Sequence, residues 1–222
     1  MAETFKVLHS EFFIRSDFTK PAFSILNVLP SWYEGLFTSF SRFGVKLADI
    51  KIENASTLGE FQISFFMFDF NLAVRIRFDR LEIQGFNTAR VSLSEGFEIF
   101  NILMETVAST VGETGYGSYE TTRIYQGQPS RPPKEMQARF LPEASDLPGP
   151  LLGTGFVLYY GPKDDRISAT ITSDLSAAYR DGLYLKITAV WNDAVKASGL
   201  EVRFQNYTQE AFKALDLEIL EQ

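Results

Sequence analysis

Alternation of apolar and polar residues predicts several β-strands along the chain. In residues 72–83, the clearest run, apolar side chains alternate with charged ones up to Asp79. This period of two is typical of a strand with one buried and one solvated face. The run Phe61–Phe68 precedes it, and the Asp69-Phe70-Asn71 link between the two runs predicts a hairpin. The pattern breaks near Asp79-Arg80, which predicts a bulge or bend.

Further strands are predicted on both sides of these two runs. Residues 5–14 and 45–54 have strand character near the N-terminus. Residues 155–160 and 166–172 flank a segment rich in turn-forming residues, so they predict a hairpin with a five-residue loop. A third strand, residues 183–191, follows a turn at Asp181-Gly182. These strands predict antiparallel β-sheet in both halves of the chain.

A first helix is predicted over residues 31–43. Ser31 and Glu34 have the spacing of a capping box, and Gly44 follows as a C-terminal glycine. The apolar positions share one face at the helical period and are expected to pack on a sheet; they are Tyr33, Leu36, Phe37 and Phe40.

Two further helices are predicted later in the chain. Ser92 and Glu95 form another capping box, followed by an apolar stripe that ends at Gly112. Gly96 weakens this helix by up to about 1 kcal/mol relative to alanine. A last amphipathic helix is expected to begin near Thr208.

Residues 112–153 differ in composition because glycine and proline recur throughout them. We expect mostly loop there, with short strands at 119–126 and 136–141. The predicted organisation is an N-terminal α+β half (residues 1–112), a connector (113–151) and a C-terminal β-meander with a helix (152–222). The fold class is therefore α+β, with antiparallel sheet packed by amphipathic helices, either as two similar halves or as one continuous domain.

Composition excludes several classes of protein. The chain of 222 residues is 45% hydrophobic and 22% charged, which is typical of a globular protein that buries its own core. It contains no cysteine, so disulfides, thiolate metal sites and cysteine nucleophiles are excluded. The net charge of −7 disfavours nucleic acid as a partner. Neither a secretory signal nor a membrane span is expected, and the predicted location is cytoplasmic.

No group of residues predicts catalysis, a cofactor or a metal. His9 is the only histidine, and no Gly-x-Ser-x-Gly motif supplies a nucleophile for it. Asp164 and Asp165 have the composition of a turn more than of a cation site. Asp174 and Asp181 would need another carboxylate nearby for acid–base chemistry. The glycines of residues 112–117 follow a helix, which is the wrong order for a phosphate-binding loop.

The unusual feature of the composition is phenylalanine, with 21 residues. Most of these side chains are expected in the core, but consecutive aromatic residues in one strand point to both faces of a sheet. The segment from Arg131 to Lys134 has the form of a short polyproline element between two cations. The residues predicted to contact a partner or ligand are Phe65, Phe66, Phe68, Tyr159, Tyr160, Arg131 and Lys134.

These observations favour a non-catalytic interaction protein, an adaptor or accessory subunit. It would bind a protein partner or a second copy of itself through an aromatic face or edge of a sheet. The alternative is a carrier of an apolar small molecule in a cavity between sheet and helix. A carboxylate-based enzyme is a third hypothesis, because distance along the sequence is not distance in space.

Overall fold

The structure is a computed structural model and describes residues 3–53, 57–111, 115–133, 135, 155–193 and 195–220. The strands are β1 (Glu3–Phe18), β2 (Ile50–Glu53), β3 (Gln62–Met67), β4 (Leu72–Ile76), β5 (Arg80–Gly85), β6 (Tyr116–Pro129), β7 (Phe156–Tyr160), β8 (Arg166–Leu175), β9 (Leu183–Asn192) and β10 (Leu217–Leu220). The long helices are α1 (Ile25–Phe40), α2 (Leu93–Val111) and α3 (Ala197–Ala214). Short 3₁₀ helices lie at Ser41–Phe43, Leu47–Asp49 and Leu58–Glu60.

All ten strands of the described residues belong to one sheet. Its order is β2-β3-β4-β5-β1-β6-β9-β8-β7, and every neighbouring pair on this path is antiparallel. The long strands β1 and β6 pair along most of their length at the centre. Strand β10 runs parallel to the first residues of β1, beside the stretch that β5 does not reach.

The core lies between the three helices and one face of the sheet, here termed the helix face. A row of buried side chains crosses the strands on this face: Phe65, Val74, Ile83, Ile14, Thr121, Ala189 and Ala169. Helix α2 packs on β1 and β5 and lies between α1 and α3. The opposite face, termed the outer face, carries the alternate side chains. The predicted α+β class with antiparallel sheet and amphipathic helices is confirmed.

Both predicted hairpins are present. Strands β3 and β4 pair through a turn in which Phe68, Asp69 and Phe70 all have positive φ. Strands β7 and β8 pair around the predicted turn, and β9 follows Asp181, which also has a positive φ of 55°. The bulge or bend predicted at Asp79-Arg80 is wrong, because the structure has a tight reversal of the chain at this point. Strand β5 returns along β4 as a further antiparallel strand.

Of the three predicted helix starts, that of α2 is confirmed and those of α1 and α3 are wrong. Helix α2 begins as expected, since the Ser92 N–H donates to the Glu95 carboxylate and the Glu95 N–H donates to Ser92 Oγ. Helix α1 begins at Ile25, so the capping box predicted at Ser31 is wrong and Pro30 lies inside the helix.

Helix α3 begins at Ala197, well before the predicted start at Thr208. Thr208 lies inside the helix, where its hydroxyl donates to the Phe204 carbonyl at 2.9 Å. A hydroxyl inside a helix can also bond to the carbonyl of the preceding turn, so a threonine does not by itself mark a helix start.

The connector predicted over residues 113–151 contains a central strand of the sheet. Strand β6 is longer than the predicted strand 119–126 and pairs with both β1 and β9. Its apolar and polar residues alternate weakly, and it carries glycine and proline near its ends, so the sequence predicts only the middle of this strand. The strand predicted at 136–141 lies outside the described residues. None of the described helices is long and apolar enough to cross a membrane.

Candidate interaction surface

The aromatic residues predicted for contact on β3 divide between the two faces of the sheet. Phe65 is fully buried on the helix face, where its ring meets the Phe40 ring of α1 edge-on at 5.5 Å. Helix α1 therefore covers this side of the strand. Phe65 is not exposed, as contact with a partner would require.

Phe66 points to the outer face and is half-buried. Its ring packs against Phe70, which is 57% exposed, with 5.4 Å between ring centroids. The Lys51 ammonium lies 4.9 Å from the centre of the same ring. Phe68 packs against Phe43 at 6.1 Å. The local contacts of Phe66 and Phe68 are thus made largely within the chain.

Tyr159 and Tyr160 lie on β7, the last strand at the other end of the sheet. Tyr159 points to the outer face and is 80% exposed. Tyr160 points to the helix face, where it packs against the core. Val157 lies beside Tyr159 on the outer face and is 43% exposed.

The structure does not bring the two predicted aromatic clusters together. Strands β3 and β7 are separated by seven strand-to-strand spacings, which correspond to about 34 Å. The predicted contact residues therefore cannot form one site, and the two ends of the sheet have to be considered separately.

Strand β7 differs in chemistry from β2, the strand at the opposite edge. Among the described residues, β7 pairs only with β8 and β2 pairs only with β3, so each leaves one strand edge, here called its outer side, without a paired strand. The sequence of β7 is Phe-Val-Leu-Tyr-Tyr, without a charge, whereas β2 carries exposed Lys51 and Glu53. The outer side of an edge strand presents backbone N–H and C=O groups to which a further strand can bond. Uncharged β7 is the better candidate for such pairing.

The residues of the predicted polyproline element do not join either cluster. Arg131 is exposed, and its backbone N–H donates to the Glu3 carboxylate at 2.9 Å. Lys134 lies outside the described residues. Arg131 thus has a structural contact that ties the end of β6 to the start of β1.

The centre of the outer face is a ladder of opposite charges. Neighbouring strands place Arg75, Glu82, Arg15 and Glu120 in one row. Opposite charges on neighbouring strands stabilise a sheet modestly. Arg75 is half-buried and Glu82 is 7% exposed, so this row is only partly open to solvent.

The candidate catalytic residues are dispersed. His9 Nε2 lies 3.0 Å from a Glu11 carboxylate oxygen on the same strand. Asp164 and Asp181 lie in turns with positive φ, and Asp165 pairs with Arg203 at 2.7 Å. No three acidic or histidine side chains among the described residues lie close enough to hold a metal ion.

A groove of about 910 Å³ lies where the start of α2 meets α3 and β10. Tyr125 and Phe212 supply aromatic surface there. Hydroxyl, amide and charged side chains form much of the remaining wall, among them Thr88, Ser92, Arg123, Gln205, Gln209 and Lys213. A lining of this kind does not favour the apolar ligand predicted as the alternative.

No protein-family model matches the chain, and no curated protein is significantly similar to it. The edge position of β7 was not visible in the sequence, because strand order depends on pairing between distant segments. A weak signal was nevertheless present: Phe156–Tyr160 is a strand-length run without a charge that ends at a turn.

Proposed function

We propose that this chain is a non-catalytic interaction protein, an adaptor or accessory subunit, that binds another polypeptide along the outer side of β7. The observation that supports the proposal is an uncharged edge strand on which Tyr159 is 80% exposed. Tyrosine is enriched in interfaces because it offers a large apolar surface with one polar group.

The mode of binding is strand addition. Backbone hydrogen bonds supply affinity, and the side chains on alternate faces supply specificity. A second copy of β7 fits this edge, because antiparallel pairing about Leu158 sets Val157 opposite Tyr159 of the second copy. Pairs of an aromatic and a β-branched side chain are among the favourable cross-strand pairs.

Site-specific photo-crosslinking tests this proposal. A photoreactive phenylalanine analogue replaces Tyr159 in one full-length variant and Ile52 of β2 in a matched control, since Ile52 is also exposed on an edge strand. After irradiation in the native host, we expect a discrete adduct from position 159 only. An adduct of twice the chain mass indicates a second copy, and another mass indicates a partner.

Equal adducts from both positions, or none from position 159, would contradict the proposal. In the first case the contacts depend on exposure alone. In the second case β7 has no neighbour in the cell.

The carrier of an apolar small molecule has less support. The helix face between the sheet and the helices is filled with fully buried side chains in the described residues, among them Phe12, Phe65, Phe100 and Phe204. Native mass spectrometry of the purified chain distinguishes the two functions, since a co-purifying apolar compound would favour the carrier.

A further inference from the structure

A second, smaller cavity lies on the opposite side of α3 from the large groove. It has a volume of about 180 Å³ and is bounded by the turn between β7 and β8, by Trp191 of β9 and by α3. Sites for drug-sized ligands occupy about 300–1,000 Å³, and one water molecule takes about 30 Å³ of liquid. This cavity therefore accommodates only a small group.

Three cationic side chains line the cavity: Lys163, Arg166 and Arg203. Arg203 pairs with Asp165 at 2.7 Å, and Lys163 lies 3.4 Å from Glu210 with both side chains more than half exposed. Arg166 forms no ion pair with any described residue. Its positive charge is thus the one that the cavity leaves without an acidic partner in the described part of the chain.

Arg166 and Tyr207 are both buried side chains with unsatisfied polar atoms. Arg166 is 8% exposed and Tyr207 is 6% exposed. The guanidinium carbon lies 4.5 Å from the centre of the tyrosine ring. Neither Arg166 Nε nor Tyr207 Oη has a hydrogen-bond partner in the described protein. Leaving buried donors unpaired is unfavourable, so a group that accepts from both would stabilise the fold.

The carboxylates of Asp164 and Glu210 also line the cavity, but the two groups with unsatisfied atoms, Arg166 and Tyr207, are both hydrogen-bond donors. Burial raises the pKa of Tyr207 to about 12, although the charge of Arg166 opposes this shift. The hydroxyl is therefore protonated at neutral pH and can donate. Trp191 contributes its ring only, because its indole N–H already donates to Thr121 Oγ1 at 2.9 Å.

We propose that this cavity binds a small oxyanion, a carboxylate or a phosphate, with the Arg166 guanidinium and the Tyr207 hydroxyl as its donors. Guanidinium groups bind planar carboxylates and phosphates through paired, charge-assisted hydrogen bonds. A cation at this turn is disfavoured because Arg166 would repel it and Asp165 is already paired with Arg203.

Thermal unfolding of the full chain in millimolar acetate or phosphate tests the site, with chloride used to keep ionic strength constant. A ligand that binds only the folded state raises Tm, and a shift of about 2–5 °C is expected for a chain of this size once the ligand exceeds its Kd severalfold. A response to acetate alone assigns a carboxylate, a response to phosphate alone assigns a phosphate, and a response to both supports the shared chemistry.

Two variants separate this site from a general effect of salt. Arg166→Gln is expected to abolish the shift, and Tyr207→Phe, which keeps the ring, is expected to weaken binding about tenfold. Arg180→Gln is the control, because the Arg180 side chain is 97% exposed and remote from the lining, and it should respond as the native chain does.

The proposal is overturned if neither anion stabilises the native chain relative to chloride. It is also overturned if Tyr207→Phe and Arg166→Gln retain the full shift. Should Arg166→Gln fail to fold, Tyr207→Phe decides between these outcomes, since it removes a single hydroxyl without a hydrogen-bond partner.

Discussion

The two halves of the sheet repeat one order of strands. Outward from the centre, β1 is followed by β5, β4 and β3, and β6 is followed by β9, β8 and β7. Each set of strands leads along the chain into a helix that packs on the same sheet, α2 in the first half and α3 in the second. The units that correspond therefore begin at the long strands β1 and β6.

The halves differ at their outer strands. Strand β3 pairs with β2 on its outer side, and its buried face is covered by Phe40 of α1. Strand β7, at the corresponding place, is the last described strand, and it exposes Val157 and Tyr159. In the first half β2 and α1 therefore cover β3, whereas in the second half no described strand pairs with the outer side of β7.

The two edge strands, β2 and β7, also differ in charge. Natural sheets protect their edges from unwanted pairing with charged residues and with very short strands. Strand β2 has four residues, two of which are charged, and both of these are exposed. Strand β7 carries no charged residue, and this contrast supports the proposal that a partner binds at its edge.

The largest expected difference between the halves is in the stability effect of their aromatic residues. Phe65→Ala removes a fully buried ring and is expected to lower the free energy of unfolding by about 3–5 kcal/mol. Tyr159→Ala should change it by less than about 0.5 kcal/mol because Tyr159 is mostly exposed. Urea denaturation followed by circular dichroism measures both.

A loss of similar size from both variants would mean that Tyr159 is covered in the folded protein in solution. Because a stable self-association would also protect Tyr159, the denaturation is repeated at two protein concentrations. Only an oligomer makes the midpoint depend on concentration.

The second comparison concerns a glycine near the start of each helix. A Cβ at Gly96 of α2 would clash with the Phe12 ring, which also packs against Gly85 on its other side. A Cβ at Gly199 of α3 would meet no atom within 4 Å. Gly96→Ala is therefore expected to destabilise the protein by about 1–3 kcal/mol through overpacking, although alanine favours helices.

Gly199→Ala is the matched control and should stabilise the protein by a few tenths to about 1 kcal/mol. Thermal unfolding of the two variants shows the opposite signs directly. A gain of stability from Gly96→Ala would mean that the Phe12 ring has room to move.

Local patterns in the sequence predicted what depends on neighbouring residues. Alternation along residues 72–79 and the Ser92–Glu95 capping box lead to structures that form within a few residues, and both are present. The start of α3 lies earlier than predicted, because its first turn contains Ser198 and Gly199, which have weak helix propensity.

The candidate surface could be predicted only in part, because strand order is not a local property. Tyr159 was identified from its aromatic neighbours, but its exposure results from the position of β7 at the end of the sheet. Phe65 also has aromatic neighbours in the sequence, but it is buried because α1 packs over it. Which aromatic strand is covered depends on how distant segments pack.

The smallest expected effect on stability, and the most direct test of the edges, comes from one lysine placed on each. Val157→Lys and Ile52→Lys replace side chains that are 43% and 51% exposed, so each should change the free energy of unfolding by less than about 0.5 kcal/mol. A lysine on an edge strand opposes pairing with another strand. Sedimentation velocity measures the association of each variant, and partner capture by the purified chain is compared in parallel.

Only Val157→Lys is expected to weaken association, by at least about tenfold if the lysine costs 1.4 kcal/mol or more at the interface. Ile52→Lys should associate as the native chain does, because β2 already carries charges of its own. Loss of association from Ile52→Lys instead would place the contact at β2, at the other end of the sheet. The two halves would then differ in packing, but β7 would not be the interaction surface.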